Sequence, residues 1–151
     1  MTISALATSR APHRYARSVA ALLLGFITVF VLSLGTDQVL HMSKVYPPWG
    51  QPMSDTLFLV ATAYRLVYGV VGSYITARFA PHKPMKHALL GGLIGAVLSA
   101  AGAIATWNRG PAFGPRWYPV SLIVTALPCA WAGGKIREIQ GEAFNGGIER
   151  T

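Results

Sequence analysis

Residues 55–80 read DTLFLVATAYRLVYGVVGSYITARFA, an apolar run flanked by Asp55 and Arg78 with a second arginine, Arg65, near its middle. A cation at the centre of a bilayer helix costs ~2.5–3.5 kcal/mol on insertion scales. Each of the Leu, Phe, Val and Ile residues between Leu57 and Ile75 returns ~0.3–0.6 kcal/mol. The balance favours a membrane-spanning helix, and Arg65 must then face the interior of a helix bundle. Gly69 and Gly72 share its face, which places backbone close by.

Working outward, the chain shows three further runs of the same kind. The first extends over about 18–40, the second over 55–80, the third over 87–107 and the fourth over 117–134. Of the 151 residues, 52% are apolar and only 12% are charged, about half the charged fraction of a soluble domain. The expected fold is therefore all-α: four transmembrane helices in an up-down bundle, as the domain of residues 18–134. A basic N-terminal segment, 1–17, precedes it. A polar tail with Gly141, Gly146 and Gly147, residues 135–151, follows and is expected to be partly disordered. The first apolar run exceeds the ~7–15 residues of a signal-peptide core, so it is expected to be retained despite the small residues Ser33 and Gly35.

The connections are marked by proline and glycine. Tyr46-Pro47-Pro48-Trp49-Gly50-Gln51-Pro52 excludes a regular helix, and Ser54 or Asp55 supplies an N-cap for the second span. Pro81 and Pro84 bound a short basic link, so the second and third spans are expected as antiparallel neighbours. Gly110, Pro111, Gly114 and Pro115 punctuate the last link. Pro128 lies inside the fourth span, where it removes the hydrogen bond to the Val124 carbonyl and predicts a kink.

The net charge of +8 does not form a basic stripe interleaved with aromatics, which argues against nucleic acid as a partner. It sets orientation instead. Arg10, Arg14, Arg17, Arg78, Lys83, Lys86, Lys135, Arg137 and Arg150 fall on one side of the spans. Lys44, Arg109 and Arg116 fall on the other. By the positive-inside rule both termini are expected in the cytoplasm, in a bacterial inner (plasma) membrane. Tyr46, Trp49, Trp107, Trp117 and Tyr118 then form an aromatic belt at the outer interface.

Small residues recur at four-residue spacing in Gly69/Ser73/Ala77, Gly91/Gly95/Ser99/Ala103 and Ala126/Ala130/Gly134. Such faces bring helices together within one chain, or join it to a membrane-protein partner or a second copy. The polar residues within the spans are few. Asp37 lies near the outer end of the first span, with Ser33 and His41 one turn to either side. Arg65 lies about ten residues into the second, hence ~15 Å deep at 1.5 Å per residue. A bidentate Asp37–Arg65 pair is within reach, with Tyr64 and Tyr68 as hydroxyl partners. Asp37, His41, Tyr64, Arg65 and Tyr68 form the candidate polar site; Trp49, Asn108, Arg109 and Trp117 are expected at its mouth.

No catalytic set converges, so an enzyme is not expected. Asp37 and His41 are too few ligands for a metal, the lone Cys129 excludes an internal disulfide or dithiol centre, and no phosphate loop implies a cofactor. Two roles remain: a non-catalytic membrane subunit that binds a lipid or small anion, and a small transporter that uses Asp37 and Arg65.

From Gly35-Thr36-Asp37 to about residue 137 the chain resembles a group of uncharacterised small four-helix bacterial membrane proteins. The motifs that carry the resemblance are Tyr46-Pro47-Pro48-Trp49-Gly50-Gln51, Ala63-Tyr64-Arg65, Ala80-Pro81 with Pro84-Met85, Gly114-Pro115-Arg116-Trp117-Tyr118-Pro119 and Ala130-Trp131-Ala132-Gly133-Gly134. It implies the four-span fold and carries no activity. Small multidrug transporters have similar size, but they centre on a glutamate within the first helix, where this chain has none, and the strong Lys/Arg bias here departs from their dual-orientation members.

Overall fold

Four long α-helices account for nearly all of the computed structural model, which describes residues 10–110 and 113–148. We label them α1 (Arg10–Met42), α2 (Asp55–Phe79), α3 (Pro84–Thr106) and α4 (Trp117–Ile148). Each is long and apolar enough to cross a membrane. The expected segments 1–9 and 149–151, with Arg150, lie outside the described residues. The helices alternate in direction. His87 near the start of α3 meets Ser18 near the start of α1 at 3.0 Å, whereas Phe58 early in α2 packs on Tyr118 early in α4 at 5.0 Å between ring centroids. We call the two ends the Pro81 end and the Trp49 end after their loops.

The distribution of side chains is compatible with a protein dissolved in lipid. The buried apolar residues are mostly small, Ala21, Ala61, Ala77, Ala88, Ala103 and Ala130, while Leu23, Ile27, Phe30, Val67, Val97 and Val124 stand exposed on the outer faces. Water would penalise such a surface; in a bilayer it loses nothing, and helices associate through close backbone packing instead. Three contacts do this. At Gly72 a side chain would strike the backbone of Gly25, so α1 and α2 touch there through their main chains. At Gly92 it would meet Ala130, which joins α3 to α4, and at Gly133 it would meet the main chain of α2 at Tyr74.

The helices are arranged as a ring in the order α1, α2, α4, α3, with the α1–α3 side sparsely packed. The short Pro81 link does make α2 and α3 neighbours. Even so, α2 packs more extensively on α1 and α4 than on α3. The ladder Gly91/Gly95/Ser99 does not pack tightly on α2: Gly91 and Gly95 look toward Leu22 and Phe26 of α1 across the open side.

Both outer helices exceed the expected spans. α1 begins at Arg10 and α4 runs through Pro128 to Ile148, so the part of the tail expected to be disordered is helical over the described residues. The extension has an anchor, since Tyr74 of α2 donates to Gln140 at 2.8 Å, and within it Lys135 pairs with Glu138 at 3.5 Å. A helix of 33 residues is about 50 Å long, more than a ~30 Å hydrocarbon core requires.

Candidate functional site

Arg65 projects from α2 toward α1 at the Trp49 end. Its Nη2 donates to Asp37 Oδ2 at 2.6 Å, and its Nη1 donates to the Tyr64 hydroxyl at 2.8 Å and back to the Ala61 carbonyl at 3.4 Å. Tyr64 in turn donates to the other carboxylate oxygen of Asp37. The carboxylate therefore has both oxygens occupied and is 8% exposed as a residue. The Arg65 side chain is 22% exposed. The guanidinium carbon lies 5.0 Å from the Tyr64 ring centre and 5.8 Å from that of Tyr118, so two aromatic faces add to its stabilisation.

The expected pair is thus present, as a single-point ion pair rather than a bidentate one, with Tyr64 bridging the second oxygen. Arg65 Nε makes no hydrogen bond among the described residues, yet it is not sealed from probe-sized space, unlike Arg137 Nε, which is buried without a partner. Of the five N–H donors of Arg65, the one on Nε and one on Nη2 are therefore unspent among the described residues, and Arg65 lines a cavity.

The loop 43–54 roofs this centre. Lys44 adopts the left-handed conformation, φ 59°, just after α1, and the Tyr46 amide returns to the Leu40 carbonyl at 3.0 Å, a typical reversal at a helix C-terminus. Tyr46 is thereby turned inward, only 3% exposed, with its hydroxyl donating to the Leu57 carbonyl at 3.3 Å and standing 3.5 Å from the Tyr64 hydroxyl. His41 Nδ1 lies 2.6 Å from the Pro47 carbonyl. A carbonyl only accepts, so Nδ1 carries the proton. The His41 ring lies against Trp49 at 3.8 Å between centroids.

Beneath the roof is a cavity of about 150 Å³ walled by Asp37, His41, Tyr46, Trp49, Arg65 and Tyr118, among others. A second, larger cavity of about 450 Å³ lies deeper in the bundle between all four helices. Its walls include Phe26, Val29, Ser33, Gly69, Gly95 and Cys129, and Arg65 belongs to both cavities.

Of the sequence-predicted residues, the structure joins Asp37, Tyr64 and Arg65 directly and puts His41 and Trp49 in the wall of the small cavity. Tyr68 stays outside the ion-pair cluster: its hydroxyl pairs with Thr36 at 2.7 Å, a separate α1–α2 tie one turn along. Asn108, Arg109 and Trp117 are not among the walls of either cavity. Arg109 turns back to the Ala105 carbonyl at 3.2 Å.

Two aromatics assigned to the interfacial belt, Tyr46 and Tyr118, point inward to the polar centre. Sequence gives little signal for this, because an interfacial tyrosine and an inward one occupy the same positions relative to a span. Gly114 offers one hint for the Tyr118 side. With φ 92° it sits where a side chain would strike the ring of Phe58, which packs on Tyr118.

Fold and centre together define a class: an all-helical protein with four candidate membrane spans and an arginine–carboxylate–tyrosine cluster within them. Compared with protein-family models, with curated proteins and with solved structures, the chain matches none.

Proposed function

We propose that this protein is a non-catalytic binding module or subunit of a bacterial inner membrane, with both termini cytoplasmic and the Trp49 end at the outer face. Its Arg65 centre holds a small anion or an anionic lipid head group. The Lys/Arg asymmetry supports the orientation. The observation that carries the binding reading is that Arg65, which lines a cavity, keeps an accessible Nε without a partner among the described residues, while both oxygens of Asp37 are taken. A cluster serving only to bind helices together has no use for a free, accessible donor at that depth. Asp37 takes one edge of the guanidinium at a single point, which leaves Nε for an incoming oxygen.

The test is binding of acetate and of inorganic phosphate to the purified protein in nanodiscs, against Arg65→Lys and Arg65→Leu variants verified as folded by circular dichroism. Saturable binding that weakens in Arg65→Lys and disappears in Arg65→Leu is expected. Binding unchanged in a folded Arg65→Leu variant would overturn the reading.

A second reading, a small transporter built on Asp37 and Arg65, is favoured by one feature. Arg65 lines both the cavity under the roof and the deeper one, the position of a gate. Anion flux into liposomes that depends on Arg65 would select it; binding without flux would select the module.

A further inference from the structure

The deeper cavity has a shape and chemistry of its own. On α2 it extends from Arg65 to Thr76, about 16 Å along the helix axis at 1.5 Å per residue. Its volume of about 450 Å³ is within the ~300–1,000 Å³ usual for small-molecule sites. Walls from all four helices enclose it, the setting of a small ligand within a bundle rather than of a docked helix. It suits a single hydrocarbon chain.

The lining agrees. It is predominantly apolar, and Arg65 is its one charged side chain, at the end nearer the roof. The cavity reaches the sparsely packed side between α1 and α3, where Phe30 and Leu98, both among its walls, are exposed to the surroundings of the bundle. A chain can therefore enter sideways from a bilayer without unfolding any helix. Gly91 and Gly95 keep this side open. A Cβ on Gly95 would meet Phe26 Cε1 at 3.9 Å, ordinary van der Waals contact, so a methyl group fits there and a longer side chain enters the cavity that Gly95 lines.

We infer that the ligand is a single-chain anionic amphiphile of the fatty-acid class, with its head group on the Arg65 guanidinium and its alkyl chain in the deeper cavity, on the side that opens between α1 and α3. The inference rests on the Arg65 binding reading and adds the chain. An uncharged chain gains little by leaving lipid for an apolar groove, because lipid tails are as apolar as the walls. Selection must therefore come from the head group, while the cavity admits one narrow chain.

The experiment uses the full chain in nanodiscs of zwitterionic lipid, with palmitate carrying a diazirine on its terminal carbon. After photolysis the labelled residues are mapped. Saturable labelling is expected on the cavity walls around Phe26, Val29 and Cys129, displaced by palmitate and not by methyl palmitate. Gly95→Leu fills the cavity and is expected to reduce that labelling about tenfold, whereas Gly102→Leu, on the same helix with open space around it, leaves it unchanged.

Labelling spread over the lipid-facing surface, without saturation, would overturn the inference, as would cavity labelling indifferent to Gly95→Leu in a folded variant. Arg65-dependent acetate binding with no cavity labelling would leave the anion site standing and remove the chain. Loss of both would remove the two together.

Discussion

At the scale of single residues, Arg65 and Asp37 behave differently depending on which one is changed. Replacing either by leucine leaves its partner unpaired in a largely dry setting, an expected loss of about 3 kcal/mol. The double variant Asp37→Leu/Arg65→Leu should recover much of that, and a double-mutant cycle by thermal unfolding in detergent measures the coupling. Asp37→Asn has the opposite expected effect on binding. Asparagine keeps the shape and the capacity to accept from Tyr64 while removing the charge that competes with an incoming anion, so acetate affinity should rise. Tyr46→Phe removes one hydroxyl from the roof and should cost about 1 kcal/mol, since the Leu57 carbonyl is already used by its own helix. The Asp37–Arg65 pair was legible in the sequence because an intramembrane cation requires a counter-charge and the chain offers few acids. Tyr46, Tyr118 and Thr36 were not, because their roles depend on which way a loop turns and which helix becomes a neighbour.

At the scale of elements, the spans declare themselves through apolar runs bounded by proline and charge. Their contacts are harder to foresee. Small residues at four-residue spacing occur on several faces, and spacing alone does not say which ladder meets which. Gly25 belongs to no ladder, yet it meets Gly72 main chain to main chain, while a Cβ on Gly91 or Gly95 would have room, 3.4 Å from Leu22 and 3.9 Å from Phe26. The contrast gives a prediction. Gly72→Leu forces α1 and α2 apart and should destabilise the protein by roughly 1–3 kcal/mol, as overpacking does. Gly95→Leu should leave the unfolding midpoint nearly unchanged. The helix ends are less legible in sequence: glycines at 141, 146 and 147 suggest disorder, whereas α4 continues over the described residues, with Tyr74 of α2 donating to Gln140.

At the scale of the molecule, the reversed distribution of side chains, small inside and large apolar outside, was implicit in the composition but visible only once the helices were assembled. The polar centre lies at the end that carries fewer basic residues. If that end faces outward, single cysteines introduced at Lys44 and at Lys83 in a Cys129→Ser background should differ in intact cells. The first should react with an impermeant maleimide and the second only after lysis. The reverse pattern would turn the protein over and put the Arg65 cavity on the cytoplasmic side.

The central claim, that Arg65 is an anion-binding residue with a donor held in reserve, is tested most directly by the Nε–Hε resonance of Arg65 in ¹⁵N-labelled protein in nanodiscs during titration with acetate. The account predicts a saturable shift of that resonance, at lower acetate in Asp37→Asn, with the resonances of Arg78 and Arg116 unmoved. An Arg65 resonance that stays fixed throughout the titration, in wild type and in Asp37→Asn alike, would contradict it and leave the cluster as a tie between two helices.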